Sequence, residues 1–233
     1  MPPRVSSRSP TLDRSRGVYA ITPEDQDTSR LLGRVEAVLT AGVTWLQYRS
    51  KHGDAMLRRD QCQAIKLLCV QARVPLIVND DVALAIAIEA DGVHLGADDA
   101  EVSHARELLG PDAIIGASCY NDLARARTAI SMGASYVAFG AVFPSPTKPL
   151  ASRASLDLFR AALPADVLRV AIGGITPSNA GAVVDAGADL VAVISGVFDA
   201  PDPAAAVCDY LTCFERRASV ACAIQPDQDT LDT

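Results

Sequence analysis

Residues 169–196 read RVAIGGITPSNAGAVVDAGADLVAVISG and contain two short apolar runs on either side of a longer segment. The runs at 169–172 and 190–194 are rich in β-branched residues, which favours strands. The segment between them, 177–186, has helical spacing, with Thr176 as its cap and a proline at its first position. Because a strand, a helix and a second strand in succession imply parallel pairing, this stretch predicts one unit of a parallel α/β fold.

The same pattern extends through the rest of the chain. Six more β-rich runs precede this unit, at 18–21, 44–48, 76–78, 92–95, 113–117 and 136–139. The other helical segments lie at 28–41, 54–72, 82–89, 103–109, 122–132, 155–163 and 203–217. Eight strands, each followed by a helix, within about 200 residues predict a single-domain (β/α)8 TIM barrel. An open doubly wound sheet is the alternative, because strand order cannot be read from a sequence.

The two ends of the chain differ in composition from the body. Residues 1–16 contain four arginines against one aspartate, and residues 218–233 contain three aspartates and no cation. Neither end shows the apolar spacing of a packed helix. Both are therefore predicted to be disordered tails that flank one domain at 17–217.

Composition and charge exclude several classes of function. The 233 residues carry 28 acidic and 21 basic side chains, and the net charge of −7 disfavours binding to nucleic acid phosphates. No run of 18 apolar residues occurs, so no membrane-spanning segment is expected. The six cysteines form no Cys-x-x-Cys pair and are typical of reduced thiols in a cytoplasmic protein. The sequence does not decide whether the chain forms a homo-oligomer.

In a barrel of this type, polar residues that follow the strands meet at one face, where the active site lies. The second strand ends in Gln47-Tyr48-Arg49-Ser50-Lys51. Alternation places Gln47, Arg49 and Lys51 on one side and Tyr48 on the other. Two cations and an amide on one side can bind an anion. The alternative is a solvated loop with scattered charges.

Acidic residues follow the third and fourth strands. Asn79-Asp80-Asp81 comes after the third strand, and Asp98-Asp99 comes after the fourth. Carboxylates from neighbouring strand ends can share Mg²⁺, which needs only one or two of them when phosphate oxygens and water complete its shell. Helix capping explains Asp81 or Asp98 equally well.

Later strand ends offer further candidates. Ser118 follows the fifth strand, and the sixth leads into residues 143–149, where prolines present two hydroxyls and a lysine on a stiff backbone. Residues 173–174 and 194–196 precede helices after the last two strands, the usual phosphate position in these barrels. Ordinary tight turns are the alternative for these loops. His94 lies within a strand and is expected to have a structural or supporting role.

Seven segments of the chain occur in the order found in one known family. They are QYRSK at 47–51, VND at 78–80, DGVHLGADD at 91–99, IGAS at 115–118, PSPTKP at 144–149, IGGI at 172–175 and VIS at 193–195. Over about residues 17–217 the chain resembles the thiamine-phosphate synthases. That family joins a hydroxymethylpyrimidine diphosphate to a thiazole phosphate, with Mg²⁺, and releases thiamine phosphate and pyrophosphate. The resemblance implies a transferase of thiamine biosynthesis that acts on small phosphorylated substrates.

The resemblance also implies a role for each matching residue. The pyrimidine diphosphate would be bound by Gln47, Tyr48, Arg49, Ser50, Lys51, Asn79, Ser118 and Lys148, of which Arg49, Lys51, Ser118 and Lys148 would be catalytic. Mg²⁺ would be held by Asp80 and Asp99. The thiazole phosphate would be bound by Ser145, Pro146, Thr147, Gly174, Ile194 and Ser195. Two positions depart from the family pattern: Ser50 stands where an acid is common, and Ser145 where threonine is common.

Two other functions fit the same fold. A thiazole tautomerase shares the barrel but needs no diphosphate-binding residues, so the presence of Arg49, Lys51, Asp80, Asp99 and Lys148 argues against it. A regulator that binds thiamine phosphates without turnover is disfavoured by the intact motifs. Only an assay separates it from an enzyme.

Overall fold

The structure is a computed structural model that describes residues 16–96, 102–144 and 153–223. Its strands are β1 (Gly17–Ile21), β2 (Trp45–Tyr48), β3 (Leu76–Asn79), β4 (Gly92–Leu95), β5 (Ile114–Tyr120), β6 (Tyr136–Gly140), β7 (Leu168–Ile172) and β8 (Leu190–Val193). All eight strands predicted from the β-rich runs are present. The largest difference is in β5, which continues to Tyr120.

The eight strands form a closed parallel barrel in chain order. β1 pairs with β2, where Tyr19 lies opposite Trp45, and also with β8, where Val18 lies opposite Val191. Closure by β1 and β8 confirms the single-domain barrel and rules out the open sheet. The carboxyl ends of all eight strands therefore point to one face.

Helices cover the outside of the barrel. They are α1 (Thr28–Thr40), α2 (Ala55–Ala72), α3 (Val82–Ala87), α4 (Val102–Leu109), α5 (Leu123–Ser131), α6 (Pro177–Ala186), α7 (Ser195–Phe198) and α8 (Pro203–Ala223). No helix within the described ranges is both long enough and apolar enough to cross a bilayer.

Three helical segments differ from the sequence prediction. The segment expected at 155–163 forms only a 3₁₀ turn at Leu156–Arg160, and the short helix α7 was not expected. Helix α8 continues to Ala223, beyond residue 217 where its helical segment was predicted to end, and residues 224–233 of the predicted C-terminal tail lie outside the described residues. The predicted tail at 1–16 lies outside the described residues except for its last position.

Aspartates cap several of the described helices. Asp27, Asp54, Asp81 and Asp122 each accept a hydrogen bond from the backbone N–H three residues later, at 2.8–3.1 Å. Such a cap contributes about 1 kcal/mol to stability because it satisfies an N–H that the helix leaves unpaired. These carboxylates therefore start the helices that follow β1, β2, β3 and β5.

The core has two layers, because successive side chains of each strand point to opposite faces of the barrel wall. The inner layer contains Tyr19, Ile21, Trp45, Ile77, Tyr136, Ala138, Val170, Leu190 and Ala192. The outer layer packs the other face of the strands against the helices and includes Leu46, Tyr48, Val78 and Phe139. Side chains at the inner positions nearest the carboxyl ends border the face where the candidate residues lie.

Candidate active site

At the end of β2, alternate side chains point into and out of the barrel. Gln47 is buried and its Nε2 donates a hydrogen bond to the hydroxyl of Tyr19, at 2.7 Å. Tyr48 is buried in the outer layer, where its hydroxyl donates to Oε1 of Gln61 on α2, at 3.0 Å. The Tyr48 side chain thus lies on the opposite face of the strand from Gln47, as the alternation of side chains predicts.

Hydrogen bonds to the loop after β1 hold the loop after β2 in place. The backbone N–H of Arg49 donates to Oγ1 of the buried Thr22, at 2.9 Å. Oε1 of Glu24 accepts from the Ser50 hydroxyl at 3.2 Å and from the backbone N–H of His52 at 2.7 Å. Partial burial alone would raise the pKa of Glu24, but the hydrogen bonds from His52 and Ser50 hold it below its ordinary value. The Ser50 hydroxyl therefore anchors this loop.

Three of the predicted residues meet where β3 ends. Oδ2 of Asp80 accepts a hydrogen bond from Nδ2 of Asn79 at 2.7 Å and forms an ion pair with Nζ of Lys51 at 3.1 Å. The backbone of Asp80 is left-handed, with φ of 62°, and its N–H donates to the carbonyl of His94 on β4 at 2.8 Å. This conformation, which aspartate tolerates, joins β3 to β4 while the carboxylate meets the lysine from β2.

The neighbouring Asp81 has a structural role. One of its oxygens caps α3, and the other forms an ion pair with Arg58 on α2. The capping alternative for this residue is therefore confirmed, and Asp80 is the carboxylate that pairs with Lys51 of the β2 loop. Arg49 is partly buried, and none of the ion pairs in the described ranges includes it.

A chain of hydrogen bonds crosses the barrel interior below these residues. From Gln47 it runs through the hydroxyls of Tyr19 and Tyr136, which are 2.8 Å apart, to Nδ1 of His94 at 2.9 Å. Nε2 of the same histidine lies 2.9 Å from Oγ of Ser118 on β5. The chain thus connects two predicted site residues, Gln47 on β2 and Ser118 on β5.

Aromatic packing fixes the geometry of this chain. Trp45 contacts the rings of Tyr19 and Tyr136 edge-on, with centroid distances of 5.5 and 5.2 Å. The imidazole of His94 stacks on Tyr136 at 5.6 Å. Burial lowers the pKa of His94 to about 4, although the charge of Asp80 opposes the shift. The ring is therefore neutral at neutral pH and carries a single N–H.

Sequence reasoning missed Tyr19 and Tyr136 and gave His94 only a supporting role. A signal was available, because a buried tyrosine hydroxyl normally has a hydrogen-bond partner, and both tyrosines occupy inward positions of their strands. Their partners could not be identified, since β1, β4 and β6 come together only when the barrel closes.

The loops after β7 and β8 adjoin each other on the same face. Gly174 has φ of 66°, and a Cβ there would lie 2.6 Å from the carbonyl oxygen of Phe143 and closer still to that of Pro144. Ile194 immediately precedes α7, which begins at the exposed Ser195. The Tyr210 hydroxyl donates to the carbonyl of Ile175 at 2.8 Å, and Gly196 lies against the same hydroxyl. The two predicted phosphate-binding loops are therefore joined through α8.

Several predicted site residues fall in segments that the structure leaves undescribed. Asp99 and its neighbour Asp98 lie in one such segment, and Ser145, Pro146, Thr147 and Lys148 lie in another. The first segment comes after β4 in the chain, and the second comes after β6.

Comparisons with known proteins identify the family of the chain. The sequence profile of the family described as thiamine monophosphate synthase matches residues 18–197. The chain is 55% identical over 201 residues to a thiamine-phosphate synthase of Xanthomonas campestris pv. campestris, covering 86% of this chain and 97% of that one. It is 53% identical over 203 residues to a thiamine-phosphate synthase of Aromatoleum aromaticum, covering 87% and 98%.

Among solved structures, a thiamine phosphate pyrophosphorylase from Pyrococcus furiosus is 31% identical with a TM-score of 0.77, covering 88% of this chain and 98% of that one. An orotidine 5'-phosphate decarboxylase from Pyrococcus horikoshii, 13% identical with a TM-score of 0.64, covers 85% and 99% and shares the fold alone. The cluster of Lys51, Asn79 and Asp80 thus lies on a barrel whose sequence matches one family from β1 into α7, and the chain belongs to the thiamine monophosphate synthase family.

Proposed function

We propose that this chain is a thiamine-phosphate synthase that joins a hydroxymethylpyrimidine diphosphate to a thiazole phosphate. The observation that carries the proposal is the group formed by Lys51, Asn79 and Asp80 at the ends of β2 and β3. It places a cation and an oxygen-donor carboxylate at the barrel mouth, as a diphosphate with a divalent cation requires. The family match and the names of the relatives support the same reaction.

The pyrimidine diphosphate is assigned to the loops after β2, β3 and β5. Arg49 and Lys51 would bind its phosphate oxygens, together with Lys148 from the segment after β6. Gln47, Asn79 and Ser118 would contact it through their side chains. The backbone of residues 48 and 50 would complete the loop, since the Tyr48 side chain and the Ser50 hydroxyl are held elsewhere.

The residues present fit a magnesium ion that is bound mainly by substrate. Within the described ranges, no three histidine, cysteine or acidic side chains form a metal-binding group. Mg²⁺ prefers oxygen ligands and is commonly held by one or two carboxylates plus substrate phosphates. Asp80, with Asp99, would supply these carboxylates. When bound, the ion neutralises negative charge on the diphosphate.

Charge stabilisation accounts for the reaction without a nucleophilic side chain. The bond between the pyrimidine methylene carbon and the diphosphate oxygen breaks, and the electron pair leaves with pyrophosphate. The aminopyrimidine ring stabilises the resulting cation, while Arg49, Lys51 and Lys148 neutralise the departing oxygens. The thiazole nitrogen then forms a bond to the same carbon.

The thiazole phosphate is assigned to the loops after β6, β7 and β8. Backbone N–H groups at Gly174, Ile194 and Ser195 would donate to its oxygens, because such groups at helix starts bind phosphate. Ser145, Pro146 and Thr147 would close the same site. The absence of a Cβ at Gly174 lets the loop after β7 lie against the carbonyl of Phe143.

The cysteines and the net charge bear on where the protein acts and what it binds. Five cysteines within the described ranges are free thiols, which supports a reducing, cytoplasmic location. The net charge of −7 argues against nucleic acid as a partner, so the proposed partners are small phosphorylated molecules.

Release of pyrophosphate tests the proposal directly. The full chain would be incubated with both substrates, with either one alone, and with or without Mg²⁺. We expect release only when both substrates and Mg²⁺ are present. Lys51→Ala should remove most of this activity. Lys66→Ala is the matched control, because Lys66 forms an ion pair with Asp91, which precedes β4 at the opposite end of the barrel.

The alternative functions give different results in the same assay. A thiazole tautomerase would convert the thiazole without releasing pyrophosphate, and a regulator would bind the phosphates without turnover. Either outcome, or equal loss of activity in Lys51→Ala and Lys66→Ala, would contradict the proposal.

A further inference from the structure

The hydrogen-bond chain inside the barrel has a direction as well as a path. Its members are the side chains of Gln47, Tyr19, Tyr136, His94 and Ser118, and successive polar atoms lie 2.7–2.9 Å apart. Tyr19, Tyr136 and Gln47 are at most 2% exposed. Each hydrogen in this chain therefore has a choice of only a few acceptors.

The direction follows from the number of hydrogens that each group carries. Nε2 of Gln47 has hydrogens to donate, so the Tyr19 hydroxyl accepts from it. The single hydroxyl hydrogen of Tyr19 then goes to Tyr136. Tyr136 in turn gives its hydrogen to the remaining neighbour, Nδ1 of His94.

The direction of the bond at Nδ1 of His94 also fixes the direction of its bond to Ser118. An imidazole nitrogen that accepts a hydrogen bond carries no hydrogen, so when Nδ1 accepts from Tyr136 the ring hydrogen must be on Nε2. That N–H donates to Oγ of Ser118, which lies 2.9 Å away. The hydroxyl hydrogen of Ser118 therefore does not form a hydrogen bond with His94.

We propose that this chain holds His94 in its Nε2–H tautomer and so directs the Ser118 hydroxyl hydrogen to an acceptor atom of the bound pyrimidine diphosphate. Tyr19, Tyr136 and His94 act as positioning residues in this proposal, and Gln47 sets the direction. The part that concerns the substrate rests on the proposed function. The part that concerns the tautomer does not.

The tautomer is measured without substrate, from the imidazole ¹⁵N shifts of the ¹⁵N-labelled full chain. The ring of residue 94 is assigned by the loss of its signals in His94→Gln. We expect the Nε2–H pattern in the wild type. Tyr136→Phe should lose this preference and show both tautomers, because nothing then donates to Nδ1.

Gln47→Glu provides a reversal test. An ionised carboxylate can only accept, so the Tyr19 hydrogen should turn towards residue 47 and every later bond should reverse. We expect the Nδ1–H tautomer in this variant at about pH 9, well above the ordinary pKa of glutamate. Trp45→Phe is the control, because Trp45 packs against both tyrosines without a hydrogen bond in the chain.

Kinetics test the second part of the proposal. Tyr136→Phe should lower kcat/KM for the pyrimidine diphosphate about tenfold, the usual effect of one misdirected hydrogen bond, and leave KM for the thiazole phosphate unchanged. A structural role alone would change both substrates equally or only lower the melting temperature.

The outcomes separate this inference from the proposed function. An Nδ1–H tautomer in the wild type, or no change of tautomer in Gln47→Glu, would overturn the direction of the chain. A changed tautomer in Tyr136→Phe with unchanged kinetics would overturn the role of Ser118. If the wild type shows the Nε2–H tautomer but releases no pyrophosphate, the direction stands and the proposed function fails.

Discussion

Replacement of Gly174 by alanine tests whether the loop after β7 forms the thiazole phosphate site. The new Cβ would lie 2.6 Å from the carbonyl oxygen of Phe143 and closer still to that of Pro144. Both contacts are with backbone atoms, which cannot rotate away as a flexible side chain would. The loop after β6, the loop after β7, or both must therefore move.

The cost of Gly174→Ala has two parts. A left-handed backbone, here with φ of 66°, costs a residue with a Cβ about 1–2 kcal/mol. Overpacking of well-packed atoms costs about 1–3 kcal/mol more. The free energy of unfolding should fall by about 2–5 kcal/mol, which for a chain of this size lowers the melting temperature by about 4–20 °C.

Gly181→Ala is the matched control for this prediction. Gly181 lies in α6, the helix that follows the same loop, and a Cβ there would have no neighbour within 4 Å. The free energy of unfolding should rise by about 1 kcal/mol, because alanine is the better helix former. Thermal unfolding and the KM for each substrate would be measured for both variants.

The expected result is a lower melting temperature and a raised KM for the thiazole phosphate in Gly174→Ala alone. If Gly174→Ala unfolds at the wild-type temperature and binds the thiazole phosphate as the wild type does, the close approach of the two loops is refuted. A raised KM for the pyrimidine diphosphate instead would assign the loop to the other substrate.

Three further predictions test the roles assigned to individual residues. Asp80→Ala should abolish Mg²⁺-dependent pyrophosphate release with little change in melting temperature. Asp81→Ala should instead lower the free energy of unfolding by about 1–2 kcal/mol, because the cap of α3 is lost. If pyrophosphate release by the two variants depended equally on the Mg²⁺ concentration, this contrast would be contradicted. Lys148→Ala should lower kcat by about 10²-fold or more, while Ser195→Ala should mainly raise KM for the thiazole phosphate; steady-state kinetics with each substrate varied in turn would show the reverse if the phosphates were exchanged. Tyr48→Phe should lower the free energy of unfolding, measured by chemical denaturation, by about 1 kcal/mol and leave KM for the pyrimidine diphosphate unchanged. A raised KM would show that the Tyr48 side chain contacts the substrate.

The order of strands and helices could be predicted because it depends on local patterns. Short β-branched runs predicted all eight strands, and the Thr176 cap with the proline after it predicted the start of α6. The segment at 155–163 was overestimated, since most of it does not continue as a helix. Helix α7 was missed because four residues are too few to show helical spacing.

The expectation that polar residues after the strands form the active site also located part of it. It selected Lys51, Asn79 and Asp80, which the structure brings into contact. It could not choose between Asp80 and Asp81, because both follow β3. Only the structure shows that the Asp81 carboxylate caps α3 and pairs with Arg58.

The sequence by itself determined the fold class, the family and the face of the barrel on which the chemistry lies, because apolar periodicity, caps and short motifs are properties of neighbouring residues. Closure of β1 on β8 was decided only by the tertiary structure. So was the hydrogen-bond chain, in which Tyr19 and Tyr136 are 117 positions apart in sequence and 2.8 Å apart in space. The physical reason is that hydrogen-bond partners across a barrel are set by the register of all its strands together, and no local segment contains that information.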